Sequence, residues 1–230
     1  MHQRHRHRLL HHPAAGVGNT SGAPVSYPSI FVGCHYTKCS PGTNLPVQVS
    51  AISNATSAID YSYVSGATYN ASYDIWLDPS PKRDGVNQME IMIWFNRQGN
   101  IQPIGSAVGT ATVGGKTWEV WQGSNGANNV ISYLAPSAIP SWNFSVLDFI
   151  NDVRNRGAIT NSWYLTSIQA GFERGTAARA WRSTRSPHPS TAPARTRRRS
   201  RRRRPPRPVP PVVARSPMTR TAGTAASRRT

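Results

Sequence analysis

The sequence predicts an all-β protein, a sandwich or jelly roll with one helix packed outside it. Between about Gly22 and Gly171, short runs of alternating apolar and polar residues are separated by Gly, Pro, Asn and Ser, the pattern of strands joined by turns. One segment in this range has the periodicity of a helix. Seven or more strands with a single helix are typical of two packed sheets, and no internal repeat is present.

Each strand is predicted from a run rich in β-branched and aromatic residues that ends at turn-forming residues. In chain order the predicted strands are Ala58–Val64, Tyr69–Leu77, Met89–Asn96, Ser106–Val113, Lys116–Gln122, Val130–Leu134 and Trp163–Glu173. Gly114 and Gly115 lie between two of these runs and predict a tight hairpin turn, because both glycines tolerate positive φ.

The helix is predicted over Ser145–Arg156. Its apolar residues recur at spacings of three and four and so share one face: Val146, Phe149, Ile150 and Val153. Ser145 can cap the start of the helix, and Gly157 can end it.

The charge divides the chain into two unequal parts. The chain has 230 residues and a net charge of +18, from 27 Lys and Arg against 9 Asp and Glu. All nine carboxylates and ten of the basic residues lie in residues 1–173, while residues 174–230 hold seventeen Arg and no acidic residue. This second part has nine Pro and a single aromatic residue, so it is predicted to be disordered. The first part is large enough for one domain with a hydrophobic core.

Composition also bears on membrane insertion, secretion and the redox compartment of the protein. No apolar run approaches the ~20 residues that a membrane span needs. The basic start lacks the apolar region of a secretory signal. Cys34 and Cys39 lie in a segment bounded by Gly and Pro, where two interpretations stay open: a small disulfide loop, which implies an oxidising compartment, or two unrelated thiols.

Alternation in the strand Met89–Asn96 separates two kinds of side chain. Because successive side chains of a strand point to opposite faces, one face is wholly apolar and suits a core. The other face carries a carboxylate, a thioether, an indole and an amide, from Glu90, Met92, Trp94 and Asn96. Such a row suits the floor of a sugar-binding cleft, where an indole stacks on the apolar face of a sugar and polar groups meet its hydroxyls.

Two further strands supply carboxylates to the same kind of face. Asp74 and Trp76 share one face of their strand, and Glu173 shares a face with Ser167 and Gln169. Two carboxylates flanking a glycosidic bond are the minimum equipment for its hydrolysis, and a third, Asp74, could tune the nucleophile. The alternation by itself does not distinguish these roles from solvated surface carboxylates.

Eight collinear motifs resemble glycoside hydrolase family 12, and above all its secreted actinobacterial endo-β-1,4-glucanases. The motifs are Gly22–Ser29, Gly33–Tyr36, Tyr73–Pro79, Glu90–Asn96, Gln102–Gly105, Trp118–Trp121, Ser132–Pro136 and Trp163–Glu173. The resemblance implies a concanavalin-like β-jelly roll with a long cleft and a retaining mechanism that needs no metal or cofactor. It further implies a secreted, monomeric protein whose partner is a β-glucan, with no membrane or specific nucleic-acid partner.

The resemblance also implies roles for single residues. Glu90 corresponds to the nucleophile, Glu173 to the acid/base and Asp74 to the carboxylate that supports the nucleophile. The residues expected to line the substrate cleft are Met92, Trp94, Pro103, Ile104 and Gly105, to which the face argument adds Trp76 and Asn96. Cys34 and Cys39 correspond to a family disulfide.

The chain departs from the family pattern at both ends, so the sandwich is expected to be incomplete there. Residues 1–20 replace the family's early strands and hold His2, His5, His7, His11 and His12, for which a metal site and an unstructured or misread start both stay open. The catalytic domain is predicted over residues 21–173. Residues 174–230 are predicted to translate a closing strand and a Gly-rich linker out of frame.

Two other functions stay open at this stage. One is a catalytically inactive glucan-binding remnant, in which the expected site residues bind but do not hydrolyse. The other is polyanion or nucleic-acid binding through Arg195–Arg207, a segment that has no interleaved aromatic residues to stack on bases. The preferred glucan is not evident from the sequence.

Overall fold

The computed structural model describes residues 23–175 and 190–193 of the chain. The predicted N-terminal segment 1–20, its histidines and nearly all of residues 174–230 lie outside these ranges. No helix in the described part is long and apolar enough to cross a membrane. The described elements are β1 Ser29–His35, β2 Lys38–Cys39, β3 Val47–Gln48, a 3-10 turn Val49–Ala51, β4 Ile52–Asp60, β5 Tyr69–Asp78, β6 Met89–Gln98, β7 Ser106–Val113, β8 Lys116–Ser124, β9 Asn129–Leu134, β10 Ser141–Ser145, α1 Val146–Asn155, β11 Tyr164–Arg174 and β12 Ser190–Pro193.

Two sheets form the described architecture, which confirms the predicted all-β sandwich with one helix. The nine-stranded sheet has the order β2-β1-β11-β5-β6-β9-β8-β7, with β3 also paired to β11, and the three-stranded sheet has the order β10-β4-β12. Neighbouring strands are antiparallel except for β6 and β9, which run parallel. Strands β5, β6 and β11 therefore occupy the middle of the large sheet, where both faces can be covered.

The main core lies between the two sheets. On β5 and β6, alternate side chains such as Tyr73, Ile75, Ile91 and Ile93 are completely buried. They belong to the same hydrophobic cluster as the buried residues of β4, β10 and α1, and Phe144 of β10 meets the ring of Tyr73 edge-on at 5.1 Å. Burial of one face of the central strands leaves their other face available for a site.

A polar contact fixes α1 to the large sheet. The Tyr133 hydroxyl on β9 donates to Asp152 Oδ2 at 2.6 Å, and Arg156 Nε donates to the same oxygen at 2.6 Å. The helix has the predicted apolar face, with Val146, Phe149, Ile150 and Val153 buried. Gly157 follows it at φ 79°, as predicted for a terminating glycine. Ser145 holds the N-cap position, but its side chain makes no capping hydrogen bond.

Most predicted strands occur within one or two residues of their expected bounds, and the Gly114-Gly115 hairpin has positive φ at both glycines, 59° and 75°. The predicted strand Ala58–Val64 is displaced, because β4 covers Ile52–Asp60. Its alternation starts earlier than the apolar run suggested, and the Tyr61 amide donates instead to the Pro140 carbonyl. Strands β1, β2, β3, β10 and β12 were not predicted. Strand β2 is a two-residue partner of β1 in a local hairpin, and the others pair with residues far away in the chain.

The segment after Glu173 contributes ordered backbone that composition did not predict. Arg174 is the last residue of β11 and is buried, and the Gly175 amide donates to the Thr68 carbonyl at 3.1 Å. Strand β12 pairs with the edge of β4 in antiparallel register. Pairing of this kind satisfies backbone groups of an edge strand and does not require apolar side chains.

Replacing Asp152 with Ala should destabilise the fold, because the Tyr133 hydroxyl and Arg156 would lose their acceptor. Loss of hydrogen bonds to a charged group costs about 1–3 kcal/mol in the free energy of unfolding. Urea denaturation of the variant measures this loss. Asp148→Ala changes an exposed carboxylate of the same helix and is the control, expected to cost about 0.5 kcal/mol or less. Equal losses of stability in the two variants would show that Asp152 does not fix α1 to the large sheet.

Candidate active site

Strand register brings the predicted site residues together on the face of the large sheet opposite the main core. Residues directly opposite each other on paired strands share a face, so each pair extends a row across the sheet. One such row crosses six strands, from β1 to β8. It consists of Phe31, Gln169, Asp74, Met92, Ser132 and Trp121. Glu90 and Glu173 lie on the same face, opposite Trp76 and Asn70 of β5 respectively. The three predicted carboxylates therefore line one surface.

Glu90 is held by a loop amide. The residue is 7% exposed, and Asn128 Nδ2 donates to its Oε2 at 3.3 Å. Asn128 is oriented in turn by Asn125, whose Nδ2 donates to Asn128 Oδ1 at 2.8 Å and whose Oδ1 accepts from the Asn128 amide at 2.9 Å. Burial, followed by the negative charge of Glu173, raises the pKa of Glu90 to about 8, against the lowering effect of the Asn128 hydrogen bond.

Glu173 has a matching arrangement on the other side of β5. Asn70 Nδ2 donates to Glu173 Oε2 at 2.6 Å across the strand pair. Burial raises the pKa of Glu173, and the hydrogen bond from Asn70 opposes this rise by favouring the charged form. An amide from a neighbouring element thus holds each of the two glutamates.

Asp74 lies deepest of the three carboxyls, with 3% of its surface exposed. Ser72 Oγ donates to Asp74 Oδ1 at 2.9 Å. Burial raises the pKa of Asp74 well above its usual value, the charges of Glu173 and Glu90 raise it further, and hydrogen bonds from Ser72 and Tyr27 lower it. Because like charges at close range resist ionising together, this cluster keeps a proton at pH values where exposed carboxyls have lost theirs.

The aromatic side chains of the site face are mostly buried. Met92 and Trp94 are 5% and 4% exposed, and they form a small apolar cluster with Val130 and Leu134, against which Ile101 and Trp121 pack. Trp76 is half-buried. The buried polar atoms of this face that have no partner among the described residues are the indole N–H groups of Trp76, Trp94 and Trp121, Ser132 Oγ and Asn70 Oδ1. Because these atoms are buried, they have neither a partner in the described part of the chain nor access to solvent in this structure.

Asn96 does not share the face of Glu90, Met92 and Trp94, so its predicted position is wrong. The register of β5 and β6 shifts between Ala71 and Ser72, where Ser72 pairs with Trp94 and Ala71 pairs with Asn96. This bulge reverses the alternation after Phe95, and Asn96 Nδ2 donates to the Tyr69 hydroxyl at 3.2 Å. Arg97, which pairs with Asn70, takes the place on the site face that alternation assigned to Asn96.

The predicted loop Pro103, Ile104 and Gly105 packs on β8. Pro103 is buried, whereas Ile104 is 40% exposed. Gly105 has φ +87°, and a Cβ atom there would lie 2.0 Å from the Gln122 carbonyl oxygen, so only glycine allows this approach. The same loop carries Ile101 onto the apolar cluster of Met92 and Trp94.

A disulfide joins Cys34 and Cys39, as the resemblance implied. The two cysteines are paired across the β1–β2 hairpin, whose turn residues Tyr36 and Thr37 have φ of 42° and 68°. Next to the bridge, His35 Nδ1 lies 3.0 Å from Gln169 Nε2, which connects the hairpin to the row that contains Asp74.

Four polar residues of the site were not predicted from the sequence: Tyr27, Asn70, Ser72 and Asn128. Strand alternation contained a signal for two of them, because Asn70 and Ser72 lie four and two residues before Asp74 on the same strand. Asn128 lies in a loop and Tyr27 before the first strand, where no periodicity indicates direction. The described residues contain no group of three or more His, Cys, Asp or Glu side chains that could hold a metal ion.

Together, the fold and the site define a class of protein: a β-sandwich glycoside hydrolase, with carboxyls and indoles on one face of the larger sheet. Comparison with known families narrows this class. The model of glycosyl hydrolase family 12 matches residues 12–184, and the chain belongs to this family, as its motifs predicted. The matched range is wider than the predicted domain of residues 21–173.

Several proteins that are similar to this chain are named as cellulases or endo-1,4-beta-glucanases. A probable cellulase, Cel12b, from Mycobacterium tuberculosis (strain ATCC 25618 / H37Rv) is 54% identical over 132 residues, which are 57% of this chain and 87% of the relative. The xyloglucan-specific endo-beta-1,4-glucanase A of Emericella nidulans is 36% identical over 130 residues, 55% of this chain and 54% of the relative. The native structure of the endo-1,4-beta-glucanase CelB2 superposes with a TM-score of 0.76 at 58% identity, over 78% of this chain and 81% of that chain.

Replacing Glu90 with Gln should stabilise the fold at neutral and alkaline pH. An acid whose pKa is raised on folding, here to about 8, contributes stability below its unfolded pKa and loses it as pH rises toward the folded value. One pKa unit corresponds to about 1.4 kcal/mol, so we expect a gain on the order of 4 kcal/mol at pH 8 and little gain at pH 4.

Urea denaturation of both proteins across this pH range measures the difference. Glu119→Gln, which neutralises an exposed carboxylate of β8, is the matched control. A gain for Glu90→Gln that does not grow with pH would show that the burial of charge is not the cause.

Proposed function

We propose that the chain is a retaining, endo-acting hydrolase of β-1,4-glucosidic bonds in cellulose or related β-glucans. The observation that carries this proposal is the buried cluster of Glu90, Glu173 and Asp74 beside indole rings on a single sheet face. Membership of glycosyl hydrolase family 12 and the glucanase names of its relatives support the substrate class.

The reaction needs two displacements at the anomeric carbon. Glu173 donates its proton to the glycosidic oxygen while Glu90 attacks the anomeric carbon, which breaks the C–O bond and forms a glycosyl ester on Glu90. Glu173, now ionised, removes a proton from water. This water attacks the same carbon, expels Glu90 and releases the sugar with retained configuration.

The reaction starts with Glu90 ionised and Glu173 protonated, whereas burial alone favours a protonated Glu90. The pKa of about 8 for Glu90 includes the negative charge of Glu173. When the shared proton resides on Glu173, this charge is absent, and Glu90 ionises more easily with the Asn128 hydrogen bond in place. The amides of Asn70 and Asn128 each engage Oε2 of their glutamate, which leaves Oε1 of both groups for substrate.

The remaining predicted residues are assigned to substrate contact. Trp76 is half-buried and is assigned to stack on a sugar ring. Trp94 and Met92 are buried on the same face, where Met92 lies between Asp74 and Ser132 in the central row. Ile104 and Gly105 lie on the exposed side of their loop. We assign the protein to the extracellular space as a monomer, and the disulfide supports an oxidising compartment.

Glu90→Gln and Glu173→Gln should each lower kcat by at least about 1,000-fold, because each removes a group that forms or breaks a bond. Release of reducing ends from carboxymethyl-cellulose, mixed-linkage glucan and xyloglucan measures the effect and ranks the glucans. Asp148→Asn, which changes an exposed carboxylate of α1, is the control and should retain full activity. A wild-type chain that binds these glucans without cleaving them would refute hydrolysis and favour an inactive binding remnant.

Azide should separate the roles of the two glutamates. In Glu173→Ala, an activated aryl β-glucoside still forms the ester on Glu90, and azide then attacks it to give a β-glycosyl azide. In Glu90→Ala, azide takes the place of the nucleophile and gives the α-glycosyl azide. Proton NMR of the products distinguishes the two anomers, and the opposite pairing would exchange the proposed roles.

A further inference from the structure

Glu90 receives its hydrogen bond from a loop residue whose own side-chain amide is completely paired. Asn128 is 5% exposed. Its Nδ2 donates to Glu90 Oε2 at 3.3 Å and to the Asn129 carbonyl at 3.2 Å, and its Oδ1 accepts from Asn125 Nδ2 at 2.8 Å. The amide nitrogen and the amide oxygen of Asn128 therefore both have partners in this loop.

The direction of the Asn128 amide decides which form of Glu90 it favours. In the observed orientation an N–H group faces the Glu90 carboxyl, and this donor favours the charged form. A rotation of the amide by 180° would present its oxygen to Glu90 instead, and that oxygen can accept only from a protonated carboxyl. The same rotation would set the Asn128 nitrogen against the donor Asn125 Nδ2, so Asn125 opposes it.

The orientation of Asn125 is fixed in turn by the backbone of its own turn. Its Oδ1 accepts from the backbone amides of Ala127 and Asn128, each at 2.9 Å. Backbone amides can only donate, so the oxygen of Asn125 stays with them and its nitrogen points to Asn128 Oδ1. Ser124 closes the turn, because its Oγ donates to the Asn128 carbonyl at 2.8 Å and accepts from the Gly126 amide at 3.1 Å.

The other titratable groups near Glu90 disfavour its ionisation. Within the described residues, the groups that face it are Glu173 on β11 and Asp74 on β5, and both are acids. Its partner on β9, Val130, and the next residue of that row on β8, Gly123, do not titrate. The hydrogen bond from the loop is therefore the influence that favours the ionised nucleophile.

We infer that Asn125 is a positioning residue, which fixes the end of the Asn128 amide that faces the nucleophile. With Asn125 in place, Glu90 meets an N–H donor and ionises more easily. Without it, Asn128 can turn its oxygen to Glu90 and hold the carboxyl in its protonated form, which is a poor nucleophile. The consequence for catalysis rests on the proposed hydrolase function, whereas the orientation of Asn128 does not.

Asn125→Asp tests this role with a nearly isosteric change. The carboxylate keeps an acceptor for the backbone amides of Ala127 and Asn128 but replaces the Nδ2 donor with a second acceptor. Asn128 should then rotate, and we expect the pKa of Glu90 to rise by about one unit. Carboxyl-carbon NMR titration of glutamate-labelled protein measures this pKa without any assay of activity, since the chain contains only three glutamates.

Asn129→Asp is the matched control for the added charge. Asn129 pairs with Met89, whose side chain is in the core, so alternation directs residue 129 away from the face of Glu90. Because an exposed charge is screened, this variant should shift the pKa of Glu90 by about 0.3 units or less. Asn125 and Asn129 are both exposed, so both variants should fold. Equal shifts in the two variants would overturn the inference, as would an unchanged pKa in Asn125→Asp.

The side-chain amide of Asn128 gives a second readout that is independent of activity. In the wild-type chain its Nδ2 proton signals should move as Glu90 ionises, because one of these protons is donated to that carboxyl. In Asn125→Asp the protons point away from Glu90, and this dependence should disappear. Proton signals that follow Glu90 equally in both proteins would show that Asn125 does not set the orientation.

In the active protein, the acidic limb of the profile of kcat/KM against pH should move to higher pH in Asn125→Asp. Glu90 must be ionised to attack, so a rise of its pKa by about one unit moves this limb by the same amount, while KM changes little. Asn128→Ala removes the donor itself and should cause the same shift, and adding Asn125→Asp to it should cause no further shift.

Additive shifts in the double variant would overturn a role that acts through Asn128, and so would a uniform loss of activity with an unmoved acidic limb. An inactive wild-type chain with the expected NMR shifts would instead contradict the proposed function and leave the role of Asn125 established. The two failures therefore give different results.

Discussion

The position of β5 between β6 and β11 is the constraint on which the rest of the structure depends. Its antiparallel register on one side sets Trp76 opposite Glu90, and on the other side it sets Asn70 opposite Glu173. Asp74 lies between these two pairs along the strand. Because the pleat sends alternate residues to opposite faces, the same register that collects the carboxyls also directs Tyr73, Ile75 and Leu77 into the core. Core packing and site geometry are thus set together.

Burial of three carboxyls on one sheet face has an energetic cost that the site only partly offsets. Removing a charge from water is unfavourable, and like charges nearby add to the cost. Four hydrogen-bond donors from three elements offset part of this cost: Asn70 and Ser72 of β5, Asn128 of a loop and Tyr27 of the segment before β1. These donors do not fully offset the cost of burying the charged carboxyls, so the cluster retains a proton near neutral pH. A shared proton is what a two-carboxyl reaction uses.

The elements at the rim of the site are fixed by covalent or close backbone contacts. The Cys34–Cys39 bridge holds the β1–β2 hairpin, and the Thr37 amide donates to the Arg83 carbonyl of the β5–β6 loop. That loop is anchored by Asp78, which accepts from Lys82 and from the Gln88 amide, two residues before Glu90. On the other side, the backbones of Gly105 and Gly123 meet directly. Rigid supports at these points keep the loops in place around the carboxyls.

Local patterns in the sequence determined the central strands, the Gly114-Gly115 hairpin, the amphipathic helix and the face shared by Glu90, Met92 and Trp94, because each depends on neighbours a few residues apart. The eight motifs, which extend over most of the domain, were enough to predict that it belongs to glycoside hydrolase family 12. The tertiary structure alone decided that a bulge moves Asn96 to the other face, that β4 starts at Ile52, and that Asn128 and Tyr27 reach the carboxyls. Those features arise from pairing between residues far apart in the chain, which alternation within one strand cannot encode.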